Sequence, residues 1–319
     1  MTLPRASLLA SIGVLLVLPL LTQSSYLHHL LVLWMLYALL ALSLNIIVGY
    51  LGELSFGHAA FFGIGAYATA ILTMEYGVPA IAALLAAGLI AGLFGVIIGY
   101  VALRIEGPQF AILTLGFGSI IYTVTTYWVD LTRGPMGISN IPYFSFGFGL
   151  PAFESARANY YLVLGFVLAA AYACRALVTS RTGRAFIALR ENAPLAASLG
   201  VDTFHMKLLG FVAATVMAGI GGALYAHYVR VITPELMSLN YMAALIIIVI
   251  VGGRGTVIGP IIGALVYVGL LEVLRATGAM RLMIFAALLT LSVIFLPGGL
   301  VSLGRRLLQP LFGHRRGGA

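Results

Sequence analysis

The sequence predicts an all-α fold, a polytopic transmembrane bundle of eight to ten spans, some of them short or broken. Three observations carry that prediction. Of 319 residues, 62% are hydrophobic and 8% charged, whereas soluble domains are roughly one-quarter charged and about half apolar. The mean hydropathy is +1.10 over the whole length, so no long polar segment dilutes the apolar ones. The 17 basic and 9 acidic side chains are too few to solvate a globule of this size, and most of the surface must face lipid. A soluble enzyme with a single anchor is excluded, and residues 1–319 read as one transmembrane domain.

The spans follow in order from stretches of about 20 apolar residues. They cover residues 6–21, 27–49, 59–74, 79–103, 110–129, 160–177, 208–229, 241–251, 256–274 and 282–296. Arg5 before the first run and the polar residues 22–25 after it resemble a signal peptide, but no Ala-x-Ala cleavage site follows. A retained first helix is the expected outcome. Orientation follows from charge. With the N-terminus inside, inner segments hold Arg5, Arg104, Arg175, Arg181, Arg184, Arg190, Lys207, Arg254, Arg305, Arg306, Arg315 and Arg316. Outer ones hold Arg133, Arg157, Arg230, Arg275 and Arg281. Twelve against five is a positive-inside bias, and it places the basic tail, 304–319, in the cytoplasm.

Two connections are long. The outer, periplasmic loop 130–159 carries Gly134-Pro135-Met136-Gly137 and Ile141-Pro142 as turn signals and reads as a cap over helix ends. The inner, cytoplasmic loop 179–206 has internal pattern. Phe186, Ile187 and Leu189 against Arg184, Arg190 and Glu191 make a short amphipathic helix. Asn192 then caps a second helix with Pro194 in its first turn, and Gly200 suits a left-handed end. Two short helices joined by an elbow are expected. The second offers Ala196 and Ala197, small enough for a partner backbone to approach. By composition alone a helix lying on lipid fits as well.

Glu191 followed by Ala196-Ala197 and Gly200 resembles the Glu-Ala-Ala…Gly cytoplasmic loop of ABC importer permeases. The resemblance extends along nearly the whole chain, to the branched-chain amino acid permeases of that class. It is carried by Leu44-Asn45-Ile46-Ile47-Val48-Gly49-Tyr50, by Ser55-Phe56-Gly57-His58-Ala59-Ala60-Phe61-Phe62-Gly63-Ile64-Gly65-Ala66-Tyr67, and by Leu113-Thr114-Leu115-Gly116-Phe117-Gly118. Gly222-Ala223-Leu224-Tyr225-Ala226-His227-Tyr228, Gly252-Gly253-Arg254-Gly255-Thr256, Gly259-Pro260 and Pro297-Gly298-Gly299-Leu300 follow in the same order. Each string alone is weak; their shared order over most of the chain is specific. Glu53 departs from the pattern, placing a charge where the family's is uncharged.

The resemblance implies a bacterial inner-membrane subunit that pairs with a second, homologous permease, two ATP-binding subunits and a periplasmic substrate-binding protein. It implies import of branched-chain or similar small amino acids, with urea, amides and aromatic acids as alternatives within the same architecture. It further implies an ATPase-coupling role for Glu191, Ala196, Ala197 and Gly200, a contact that Arg184, Arg190 and Glu191 are expected to orient by their charge.

Other chemistry finds no support in the residues. There is no Gly-x4-Gly-Lys-Ser/Thr string, and the only lysine is Lys207, so ATP is expected on a separate subunit. The six histidines have no metal-ligand spacing, and no cofactor is expected. One cysteine, Cys174, rules out an internal disulfide. Basic residues scattered between apolar runs fit lipid and topology rather than nucleic acid. An ion-coupled secondary transporter would need buried carboxylates, for which Glu53, Glu75 and Glu272 are the candidates. An intramembrane enzyme would need a paired-acid or His/Asp cluster that the sequence does not assemble.

Polar groups in apolar surroundings normally face a cavity or a partner. Asn45, Glu53, Ser55, His58 and Thr114 are therefore the candidates for the translocation pathway. The glycines around residues 49–65 point to a broken or re-entrant segment there; a wetted loop at the membrane edge is the plainer alternative. Gly88-x3-Gly92 and Gly95-x3-Gly99 are expected to set one close-packed helix face.

Overall fold

The computed structural model describes residues 5–21, 24–105, 107–146, 151–277, 284 and 298–302. Among them are eleven α-helices and one two-stranded sheet. The helices are α1 (Arg5–Leu21), α2 (Ser25–Asn45), α3 (His58–Met74), α4 (Ala80–Ala102), α5 (Pro108–Tyr127), α6 (Val129–Thr132), α7 (Ala156–Thr179), α8 (Arg181–Ser198), α9 (Thr203–Val229), α10 (Leu239–Gly252) and α11 (Ile258–Val273). The predicted last span, 282–296, and the tail 304–319 lie outside the described residues, as do Arg305, Arg306, Arg315 and Arg316.

Among the described residues, five helical segments are long and apolar enough to cross a bilayer by themselves: Ser25–Leu51, α4, α5, α7 and α9. At 1.5 Å per residue, α3, α10 and α11 reach only about 21–26 Å, short of a hydrocarbon core of about 30 Å. The predicted short spans are therefore present. α9 begins at Thr203, earlier than its apolar run, because the Asp202 side chain accepts a hydrogen bond from the His205 amide and caps it.

α9 is the centre of the bundle and packs against α2, α3 and α4. Glycines make this possible. Gly88, Gly92, Gly95 and Gly99 of α4 face Ile220, Val216, Thr215 and Leu208 of α9, where a Cβ would collide. Gly65 and Gly222 bring α3 and α9 into backbone contact in the same way. On the other side α2 packs against α7, α10 and α11.

α1 is held by the bonds its proline leaves open. Pro19 has no N–H for the carbonyl of Leu15, and the Tyr160 hydroxyl of α7 donates to that carbonyl instead, at 2.7 Å. The Pro19 carbonyl in turn pairs with His28 of α2, at 3.1 Å.

Because successive helices reverse direction, the connections fall into two groups. At one end β1 (Ile138–Ser139) and β2 (Val231–Ile232) pair antiparallel, Ile138 opposite Ile232. The predicted surface cap, 130–159, thus includes a strand that ties it to the end of α9. At the opposite end lie α8 and the segments 52–57 and 253–257.

Candidate coupling surface and translocation wall

α8 is two helices in series. Ser180 accepts from the Gly183 amide and starts the first half. Gly183 is required at that corner, since a Cβ there would strike the backbone of Leu177 and Val178. Phe186 and Leu189 are buried, Phe186 packing with Tyr50 and Leu51. Gly210 of α9 leaves room for its ring.

The expected elbow falls at Asn192, whose backbone is non-helical at φ −159°, ψ 95°. Its Oδ1 accepts from the Leu195 amide at 3.0 Å, capping the second half, with Pro194 in the first turn. Gly200 ends the element at φ +88°. Ala197 and Gly200 are exposed, as are Arg184 and Glu191. Ala196 is buried, at 4% exposure, and faces the bundle. Two residues the sequence reading did not single out are exposed beside Ala197: Leu195 at 57% and Leu199 at 78%. Their spacing, one helical turn apart flanking a small residue, was the available signal.

The charged members of α8 divide. Arg184 donates to the Thr179 carbonyl at 3.2 Å, satisfying the end of α7. Arg190 binds Glu191 Oε1 through Nε and Nη2, at 3.2 and 2.6 Å. Its Nη1 donates to the carbonyl of Gly49 at 2.7 Å.

Gly49 lies in an unusual piece of α2. Residues Ile46–Leu51 form a buried π-helical turn, ended by Gly52 at φ +81°. The chain then runs irregularly to Gly57 before α3 starts. The broken segment expected here is present; Glu53 and Ser55 in it are buried, whereas Gly52 and Leu54 are exposed. Asn45 ties it to the segment 253–257: Nδ2 donates to the Thr256 carbonyl and Oδ1 accepts from the Gly255 amide, both at 2.9 Å.

Glu53 pairs with Lys207 of α9 at 2.8 Å, and both side chains are buried. The chain's one lysine therefore answers the most buried acid among the described residues. Ser43 Oγ donates to the Leu40 carbonyl at 2.6 Å, which commits its proton. His58 Nε2, 2.8 Å from that oxygen, must then donate to it. Ser55 Oγ and His58 Nδ1 are buried without a hydrogen-bond partner among the described residues. Thr114 Oγ1 accepts from the Phe56 amide and donates to the Ala111 carbonyl. Gly57 lets α3 approach α5 at the Thr114 carbonyl. The five pathway candidates thus line the inside of the broken segment, all at 8% exposure or less.

α5 has the contrasting surface. Gln109, Gly116, Ser119 and Thr123 are exposed along one face, interleaved with Ile112, Ile120 and Tyr127. Thr125 and Thr126 instead bond within the protomer, to Met237 Sδ and the Tyr122 carbonyl. A row of polar and small groups on an outer face of a membrane helix is poorly matched to lipid and well matched to a partner helix or water. Among the described residues no group of three His, Cys, Asp or Glu is placed to hold a metal ion.

A polytopic helical bundle with a charged, elbowed helix hung on one end and a polar outer helix face is the architecture of a membrane transport subunit. Residues 26–295 match the model of the family described as branched-chain amino acid transport system, permease component. The chain belongs to that family, and its role is transport rather than catalysis. It is 33% identical to the high-affinity branched-chain amino acid transport system permease protein LivM of Escherichia coli K12, over 89% of this chain and 72% of that one. It is 27% identical to the LivH permease protein of Salmonella typhimurium, over 83% of this chain and 91% of that one. A probable LivM permease protein of Methanocaldococcus jannaschii is 24% identical, over 83% of this chain and 90% of that one. No solved structure matches.

Proposed function

We propose that this chain is one of two transmembrane subunits of an ATP-driven importer in a bacterial inner membrane. It passes branched-chain or similar small amino acids, received from a periplasmic binding protein, while two separate subunits bind and hydrolyse ATP. The observation that carries this reading is the second half of α8. It begins at a capped elbow and exposes Leu195, Ala197, Leu199 and Gly200 as a small apolar face. A subunit without a phosphate-binding loop must receive work mechanically, and this face fits a cleft on an ATPase. Arg184 and Glu191 flank it with charge, Arg190 turns inward to the Gly49 carbonyl, and Ala196 seats it on the bundle.

In this reading the exposed polar face of α5 looks onto the pathway and the second permease. Asn45, Glu53, Ser55, His58 and Thr114 stand behind it and set the shape of its inner wall. An uncharged, weakly polar face suits solutes with short aliphatic side chains.

The test is reconstitution. The chain is co-expressed with a second permease and the ATPase subunits, then assayed in liposomes for ATP-dependent uptake of leucine from loaded binding protein. The Ala197→Trp variant should insert normally yet lose about tenfold or more of ATPase association, and Gly200→Val should do the same because a β-branched residue resists positive φ. If the Ala197→Trp complex stays intact with normally stimulated hydrolysis, α8 is not the coupling element and lies on lipid instead. Uptake driven by an ion gradient without ATPase subunits would establish a secondary transporter.

A further inference from the structure

We propose that Arg190 is a positioning residue for transport: it carries movement of α8 inward by gripping the carbonyl of Gly49 in the π-helical turn of α2. The inference rests on the permease reading and deepens it, since it says what happens to motion once it has reached α8.

The geometry is specific. The last carbonyls of a helix lack partners within it, and here the chain leaves α2 at Gly52 with positive φ. The Gly49 carbonyl takes Nη1 of Arg190 at 2.7 Å. A cation at this position also meets the negative end of the α2 dipole. The side chain sits in a notch made for it. A Cβ on Gly52 would lie 2.5 Å from Arg190 Cγ, and one on Gly255 would lie 3.1 Å from Nη1. A Cβ on Gly49 would strike Asn45 Oδ1 and the Gly255 amide. Two glycines from two segments thus clear the path of the Arg190 side chain, and Gly49 lets those segments meet beside it.

The opposite edge of that guanidinium is bound by Glu191, which is exposed beside the face of α8 proposed for the ATPase. One planar group therefore joins the coupling helix, the irregular end of α2 and, through Asn45, the segment 253–257. Phe186 and Leu189 add apolar contact, but apolar contact has no fixed direction along the carbonyl. A hydrogen bond to a π-helical carbonyl does. The wide turn is also a place where a helix changes register at low cost, since its ladder is already irregular. Lysine cannot substitute: one ammonium lacks the fork that holds Glu191 through two nitrogens while a third reaches Gly49.

The experiment uses the complete reconstituted importer with Arg190→Gln and Arg190→Lys. Both should co-purify with the ATPase and keep basal hydrolysis within about twofold. Uptake per ATP hydrolysed should fall about tenfold, the weight of one charge-assisted hydrogen bond. Spin labels distinguish a relay from a structural loss. Val101→Cys on α4 serves as reference, paired with Arg181→Cys on α8 or with Leu54→Cys beyond the π-turn; all three positions are exposed. In the parent both distances should change on ATP binding, and in Arg190→Gln only the Arg181 distance should. A Leu54 distance that still changes in Arg190→Gln, or uptake per ATP at the parent level, overturns the relay. Loss of ATPase binding in both variants would overturn it too, making Arg190 a docking residue. A parent complex without ATP-dependent uptake would remove the permease reading itself, and the relay with it.

Discussion

The two ends of the bundle are fastened by different chemistry. At the strand end, the ties are neutral donors on backbone carbonyls and a backbone ladder. β1 pairs with β2, and His227, buried, bridges Thr69 at 3.1 Å and the Pro142 carbonyl at 2.9 Å. Arg230 is the exception, its Nε on the Ile141 carbonyl and its guanidinium over the Tyr143 ring. At the α8 end, the ties are the Glu53–Lys207 ion pair, the Arg190 fork and the paired amide of Asn45. They hold irregular backbone rather than regular elements. A backbone ladder is satisfied in one register only. Charged side chains on long stems can keep a partner while the backbone beneath them shifts. The strand end is built to stay closed on itself, and the α8 end to yield to a neighbour.

The comparison breaks most visibly at the buried ion pair. Removing one member leaves an uncompensated charge, at about 3–5 kcal/mol, whereas replacing both with apolar residues of similar volume is often neutral. Lys207→Met should therefore lower the thermal unfolding temperature and the yield of folded protein sharply. Glu53→Leu with Lys207→Met should recover most of both. Glu53→Gln alone should cost less than the lysine variant, because it keeps the shape and an acceptor for Lys207. If the double variant folds well but transports normally, the pair is a fastener. If it folds well and transport fails, Glu53 belongs to the pathway chemistry, as its position in an apolar stretch predicts. A Lys207→Met protein as stable as the parent would show the pair to be energetically idle.

That pair also marks how far the sequence could be read. Nine of the ten apolar runs appear as helices among the described residues, since length and hydropathy are local. So are the caps: Asn192 with Pro194, and Gly200, fix the elbow of α8 by their own chemistry. The four α4 glycines were legible because spacings of four, three and four put them on one face. Glu53 and Lys207 are 154 residues apart, and nothing local says that they meet. The inward turn of Arg190 and the burial of Ala196 depend on how α8 is rotated against the bundle. That rotation is decided by Phe186 entering the space over Gly210, a contact between elements. Ser55 and His58 read as pathway residues because they are polar among apolar neighbours; whether such a group faces a cavity or a protein interior is set by tertiary packing.

A second comparison variant is smaller. His227→Phe at the strand end should remove the bridge between Thr69 and the Pro142 carbonyl, two neutral hydrogen bonds worth about 0.5–1.5 kcal/mol each. Thermal stability should drop modestly, with ATPase association and stimulated hydrolysis unchanged. The measurement is the same co-purification and hydrolysis assay used for α8. Loss of coupling in His227→Phe would mean that the two ends are not mechanically separate.

The smallest effect is a pH dependence confined to the α8 end. The Asp202 carboxyl is held below the usual carboxylate range, first by the hydrogen bond from the His205 amide and then by the His205 ring. A group whose folded value is depressed contributes stability that is present above its unfolded value, near 3.9, and lost as pH falls through the folded value. Because Asp202 is exposed, the loss should be local: fraying of the first turn of α9, with the bundle intact. Hydrogen exchange at the amides of His205 and Met206, followed by mass spectrometry, should quicken relative to its intrinsic rate as pH drops below about 4. The β1–β2 amides at Ile138 and Ile232, paired through groups that do not titrate, should keep constant protection over the same range. Asp202→Asn keeps an acceptor for the cap and discards the charge, so its exchange should be flat with pH at a slightly reduced protection; Asp202→Ala should be flat and least protected of the three. Constant protection of His205 in the parent down to pH 3 would show that the cap contributes nothing, and a parallel loss at Ile138 would show that acid loosens both ends alike.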